Sequence, residues 1–379
     1  LRHPYRRGEP FLENERLDRD SSWSNRFCVA VRGDRVRVQD SHLRGGGSCV
    51  HLEGGRYCTI QRNELLKGTG HGIRVFPGRV TPENNIIEDN VSRPVSNVHS
   101  ATFWSHARAN RYYIARNRFE SDWCRDNENI IWHSLAVRLS APVGSATLDA
   151  VRVDTARVME WALKQAQGAD SSGFPVFLDA IAGGFRADAL AGYDCLVVDG
   201  RGLGQLRTIV ANTVDAVALD RPWKVAPDPG SLVAICQNPQ FQGHIVVDNS
   251  LAHTGSGINP WGNAYDMVID GNRLPLSGGI DIGDVGAEWT YREWAGNYRI
   301  QILNNTVAEG RYHGNWPLAQ ALHIFQGIIG LQGGASVGVG GLDWVLRNNR
   351  TETDALIGIV PPARARYRGI ILEDNRSVA

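Results

Sequence analysis

An asparagine recurs along this chain behind the same short apolar phrase, and that repeat limits the possible folds more than any other feature. The phrase is two or three β-formers, a short polar step, then Asn. It reads Tyr57-Cys58-Thr59-Ile60-Gln61-Arg62-Asn63, Asn85-Ile86-Ile87-Glu88-Asp89-Asn90 and Tyr113-Ile114-Ala115-Arg116-Asn117 in the first part of the chain. It returns at Asn249, Asn272, Asn305, Asn349 and Asn375, so successive separations are 27, 27, 132, 23, 33, 44 and 26 residues. Periods of this size mark stacked repeats, and strand-length apolar runs without helical spacing mark coils of β-structure. The reading is an all-β chain, a right-handed parallel β-helix. Each coil buries its inner face only against its neighbours, and an Asn at one corner bonds to the coils above and below. That corner Asn is expected to take the left-handed backbone itself. A second column, Val29/Val31, Val50/Leu52 and Ile73/Val75, recurs every 21 to 23 residues ahead of it.

The separation of 132 residues leaves about 100 beyond one ordinary coil, so the expected organisation is a β-helix over 1–140 and 237–379, interrupted by an inserted domain over 141–236. Within the insertion, 155–166 has the pattern of an amphipathic helix, with Asp154 as N-cap and Gly168 as its stop. Strand-like pieces follow at 195–198, 208–210, 216–219 and 232–235, which suggests a small β-barrel or sandwich.

Composition narrows function. The 40 basic and 40 acidic residues cancel, which argues against a nucleic-acid or anionic-membrane partner. No apolar run approaches the roughly 20 residues of a membrane-spanning helix. Lysine occurs only at Lys67, Lys164 and Lys224. Six cysteines in 379 residues do not make a disulfide scaffold, and Cys28 and Cys49 read as small buried neighbours on adjacent coils, with a bridge between them as the alternative. The chain starts at Leu1 without a signal-peptide pattern and is taken as mature or truncated.

The insertion carries Gly200-Arg201-Gly202-Leu203-Gly204-Gln205-Leu206-Arg207, then Asp220-Arg221-Pro222-Trp223, then Pro227-Asp228-Pro229-Gly230-Ser231. This resembles a G-x-G-x-G-Q-x-R, D-R-P-W, P-D-x-x-S pattern in a family of large bacterial right-handed β-helix proteins of pectate-lyase-like type, where a barrel interrupts the solenoid. The resemblance spans about residues 85–310. Those proteins carry an Asp-Arg-Glu motif before the barrel. Here Asp126-Asn127-Glu128 keeps both acids and replaces the Arg. The glycine run lacks a following helix pattern and reads as a turn, not a nucleotide loop.

The chemistry expected of such a scaffold is sugar chemistry, and the partner expected is a polysaccharide or oligosaccharide in a long groove. Eleven Trp is a heavy load, and Trp104, Trp123, Trp132, Trp261, Trp289, Trp294 and Trp316 sit in contexts suited to stacking on sugar rings. Asp126 and Glu128, two residues apart on an extended segment, suit the acid and base of an inverting glycoside hydrolase. Asp281 and Asp284, beyond the insertion, could supply the second carboxylate. His133, His253, Asn259 and Arg138 are expected to line the same region. Such an enzyme needs no cofactor. The rival chemistry is what a local resemblance to β-helix lyases implies: elimination from a uronic-acid polymer, with Asp126 and Glu128 binding Ca²⁺, His133 as base where those enzymes have Lys, and Arg74 and Arg138 neutralising uronates. A third class is a non-catalytic adhesin or tailspike-like glycan binder. A polysaccharide substrate places the protein outside the cell or on its surface.

Overall fold

The computed structural model describes residues 27–45, 48–67, 71–76, 80–94, 101–105, 109–120, 128–133, 138–166, 178–179, 181–236, 241–254, 256–261, 264–277, 279–283, 296–308, 329–332, 338–352, 357–360 and 366–378. Three long sheets stack through the solenoid. Sheet A has nine strands: Phe27–Val31, Ser48–Glu53, His71–Phe76, Phe103–Ser105, Glu128–His133, Ser256–Trp261, Ile280–Gly283, Ile329–Gln332 and Ile357–Val360. Sheet B begins at Arg37–Gln39, Thr59–Gln61, Ile86–Glu88 and Tyr113–Ala115, and resumes at Ile245–Val247. Sheet C runs from His42–Gly45 to Arg376–Ser377. Neighbouring strands in all three are parallel, so the chain is a parallel β-helix.

Register explains the period. Val38, Ile60, Ile87, Ile114, Val246, Ile269, Ile302 and Leu346 are consecutive partners up sheet B, and all lie in one buried core. Each fully buried branched side chain is worth about 1.5–3 kcal/mol against exposure, so a single coil has little to gain and a stack has much. Likewise Val29, Val50 and Ile73 are partners on sheet A, as are Val31, Leu52 and Val75.

The asparagines form one continuous ladder at the corner between sheets B and C. From Asn90 to Asn375 each accepts through Oδ1 from the backbone N–H and the Nδ2 of the Asn one coil earlier, at 2.8 to 3.1 Å, and Asn63 Oδ1 accepts from Ser41 N–H at 3.1 Å. Each Nδ2 also reaches a core-strand carbonyl, as Asn117 does to Ile87 at 2.9 Å. The left-handed backbone falls one residue earlier than expected: Arg62, Asp89, Arg116, Asp248, Gly271, Asn304, Asn348 and Asp374 carry the positive φ, not the ladder Asn. Turning the preceding residue outward leaves the Asn side chain aimed along the stack. A second positive-φ column, including Tyr57, Asn84, Arg111, Gly243, Asp266 and Arg299, turns the chain into sheet B.

The solenoid closes across the insertion as though it were absent. Tyr113 pairs with Ile245, Arg118 with Ser250, and Ile130 with Ile258. Between them stands a closed six-stranded antiparallel barrel of Arg138–Ala146, Ala150–Val153, Ala216–Leu219, Leu206–Asn212, Asp194–Asp199 and Leu232–Cys236. Helix α1 (Thr155–Ala166) packs Val158 and Met159 into the barrel core, and Asp154 Oδ1 caps it by accepting from Arg157 N–H at 3.2 Å. No helix among the described residues is long and apolar enough to cross a membrane.

The glycine-rich motif is a structural latch. Gly200, Gly202 and Gly204 all have positive φ, and a Cβ on Gly202 would lie 2.8 Å from the Val225 carbonyl oxygen. Gln205 donates to Val225 O at 2.7 Å and accepts from Lys224 N–H at 2.8 Å. Arg207 donates twice to Pro222 O and lies over the Trp223 ring. The Ser231 hydroxyl lies between two acceptors, Asp228 Oδ1 at 2.9 Å and Arg201 O at 3.1 Å, and shares its one proton between them. The motif thus ties the barrel's turns together. The barrel then docks on sheet B, where Leu196, Val198, Ala234 and Cys236 meet Tyr265, Tyr298, Val339 and Leu342. Arg299 pairs with Asp266 and donates to Gly204 O at 3.2 Å, and Arg366 reaches Asp199 at 2.5 Å.

Candidate functional site

Chain-length variation is confined to one side of the solenoid. At the Asn corner, two residues separate the sheet B strand from the sheet C strand in every described coil, as 62–63, 116–117 and 348–349 do. The connections flanking sheet A differ from coil to coil. Residues 309–328 lead into it at one edge, and residues 284–296 leave it at the other. The barrel also departs from the end of a sheet A strand, Glu128–His133. Variable connections are where a rigid scaffold carries recognition and chemistry, so the outer face of sheet A is the candidate site.

Strand alternation defines that face. Val50, Ile73, Phe103, Ile130, Ile258 and Ile280 enter the core, so the residues after them belong to the outer row. In register this row reads Ala30, His51, Arg74, Trp104, Ile131 and Asn259, and the pairing of Ile258 with Ile280 puts Asp281 next. At its N-terminal end the row is an aromatic and cationic cluster. His51 stacks on Phe27 at 4.1 Å, and His71 on Trp104 at 4.7 Å. The Arg74 guanidinium lies 4.0 Å from the Phe76 ring centre and 5.1 Å from that of Trp104. Burial among these rings pushes Arg74 down to about 10, and burial followed by the Arg74 charge pushes His51 below its ordinary value.

The candidates chosen by residue type converge in part. Glu128 opens its strand in the register row of Phe27 and His71, whose rings stack on the outer-row His51 and Trp104, and pairs with Ser256, while His133 pairs with Trp261 at the other end of the same strands. Asp281 lies on the next strand and pairs with Gly330. Glu128 and Asp281 are therefore separated by one strand, with backbones about 14 Å apart at about 4.8 Å per strand and 3.3 Å per residue.

Others belong elsewhere. Trp132 is fully buried in the solenoid core between Phe103 and His244, because its place in the strand alternates inward; it cannot stack on a sugar. Trp104 is only 8% exposed, its ring occupied by His71 and Arg74, so it supports the row and is not an open platform. Asn259 keeps its place in the outer row but is buried there within a strand, not in a loop. His253 sits at a positive-φ corner after the sheet C strand Ser250–Ala252. Arg138 lies on the first barrel strand opposite Cys236, not on a coil. Asp126, Trp123, Asp284, Trp289, Trp294 and Trp316 lie outside the described residues.

No protein-family model matches the chain, and neither does any curated protein. The geometry of sheet A therefore carries the functional argument. Sequence reasoning missed His51, His71 and Phe76, although a signal was present. The column Val50, Ile73 already fixed which residues face inward, and the intervening His51 and Arg74 were the outer row.

Proposed function

We propose that the chain is a polysaccharide-degrading enzyme, a glycoside hydrolase whose substrate lies along the outer face of sheet A. One observation carries the reading: Glu128, His133, Trp261 and Asp281, picked by residue type from segments far apart in sequence, fall on three neighbouring strands of the one sheet bordered by the variable connections. Glu128 serves as one carboxylate, with Asp126 or Asp281 as the other. One protonates the leaving oxygen, its pKa raised by the neighbouring negative charge, and the other activates water. The Arg74–Trp104 cluster extends the same face toward the N-terminal coils, where both side chains are buried and hold the face in shape. A polymeric substrate places the enzyme outside the cell or at its surface, with no cofactor.

The test is a glycan panel scored for new reducing ends. Hydrolysis is expected, with Glu128→Gln and Asp281→Asn each losing at least about 10²–10⁴-fold, the range of general acid–base catalysis, at unchanged melting temperature. Unsaturated, ultraviolet-absorbing products that vanish with a calcium chelator would replace hydrolysis with elimination, and Asp126 and Glu128 would become Ca²⁺ ligands. Binding without cleavage would leave an adhesin or spike. Full activity in both variants sinks the site.

A further inference from the structure

Cys28 and Cys49 occupy directly opposed positions on the first two strands of sheet A, between the pairs Phe27–Ser48 and Val29–Val50. The Cys49 thiol donates to the Leu43 carbonyl at 3.5 Å. Adjacent strands lie about 4.8 Å apart, inside the 4.4–6.8 Å Cα separation that a disulfide tolerates. Among the described cysteines, Cys28 is the exposed one; Cys49, Cys58, Cys195 and Cys236 are buried. The expectation of two buried side chains therefore fails at Cys28, which faces solvent at the first described strand of the solenoid while its partner lies beneath it. An accessible thiol backed by a second thiol in register is the arrangement of an attacking and a resolving cysteine.

We propose that Cys28 and Cys49 form an oxidation site, a dithiol that closes to a disulfide by exchange with an oxidised low-molecular-weight thiol. The Cys28 thiolate attacks one sulfur of the small disulfide, forming a mixed disulfide and expelling one small thiol. Cys49 then loses its proton and attacks the Cys28 sulfur, forming the Cys28–Cys49 bond and expelling the second. The protein loses two electrons and two protons, and the small disulfide gains both as two thiols. Partial desolvation raises the Cys28 thiol above its ordinary value, so exchange speeds up as the pH rises and thiolate accumulates. The closed bridge staples the first two coils beside the Phe27–His51 stack.

The full folded chain is incubated with glutathione disulfide, alkylated, digested without reduction and read by mass spectrometry. The expected product is a peptide pair joined through Cys28 and Cys49, lighter by two hydrogen atoms and formed at least about tenfold faster at pH 9 than at pH 7, as a limiting thiolate requires. Cys28→Ser abolishes it, and Cys58→Ser and Cys124→Ser leave it intact. Glutathione persisting on Cys28 while Cys49 is alkylated, a bridge that forms only after unfolding, or no reaction at either thiol each overturns the proposal.

Discussion

Asn117 and Asn249, 132 residues apart in the chain, are direct neighbours: the backbone N–H and the Nδ2 of Asn117 both donate to Asn249 Oδ1 at 3.0 Å. A whole barrel is spliced between them, yet the corner repeats as if nothing intervened. The ladder, and not the length of chain between its members, defines where each coil begins.

Replacing Asn249 by Ala strands the buried Asn117 N–H and the Ile114 carbonyl that Asn249 Nδ2 reaches at 2.9 Å. Each orphaned buried group costs about 1–3 kcal/mol, so a loss of about 3–4 kcal/mol is expected. Asn375→Ala at the last described coil, where the environment is only part-buried, should cost about 1 kcal/mol. Denaturant midpoints of the two variants measure the difference, and equal losses would contradict a cooperative buried ladder.

The burial of Trp132 makes it a core residue. Trp132→Ala should cost about 3–5 kcal/mol through cavity formation and lower the melting temperature markedly. Trp104→Ala, which removes the ring beneath Arg74, should cost less. A Trp132→Ala protein that keeps its stability but loses glycan binding would restore it to the groove.

Gly204 joins barrel to solenoid at φ +87, where a Cβ would come 2.8 Å from Leu342 Cδ2. Gly204→Ala should cost about 2 kcal/mol from backbone strain alone and loosen the dock that Arg299 makes with the Gly204 carbonyl. Limited proteolysis near the barrel junction, together with a melting curve, reads this out. An unchanged cleavage pattern would mean the dock does not depend on that turn.

His244 is buried between Trp132 and Tyr112 and accepts from Tyr112 N–H at 3.2 Å. Burial pushes its imidazole down to about 3. The unfolded chain takes up a proton near pH 6.5 and the folded chain does not. Stability is therefore flat above about pH 6.5 and falls as the pH drops toward 3, by on the order of 5 kcal/mol in all. Asn85 holds the equivalent corner position and accepts from Cys58 N–H at 2.7 Å, so His244→Asn keeps an acceptor. Its denaturant midpoint should depend less on pH between 6.5 and 4 than that of the parent chain.

Residue type and spacing alone settled the solenoid, because an Asn ladder and a column of branched residues must repeat once per coil for the stack to bury its core. They also marked the insertion, since 132 residues cannot fit one coil, and helix α1, whose Asp154 cap and apolar stripe are local. The position of the left-handed residue escaped, because which of two adjacent polar residues turns outward depends on the neighbouring coil. The roles of the tryptophans escaped for a related reason. Trp132 and Trp104 look alike in sequence, and a shift of one position in strand parity sends one into the core and the other to the face. The glycine motif likewise shows its function only once Gln205, Arg207 and Ser231 are seen reaching across to loops many residues away. That Glu128 and Asp281 share a sheet with one strand between them was decided by tertiary structure alone, because coil stacking, not distance along the chain, determines which residues become neighbours.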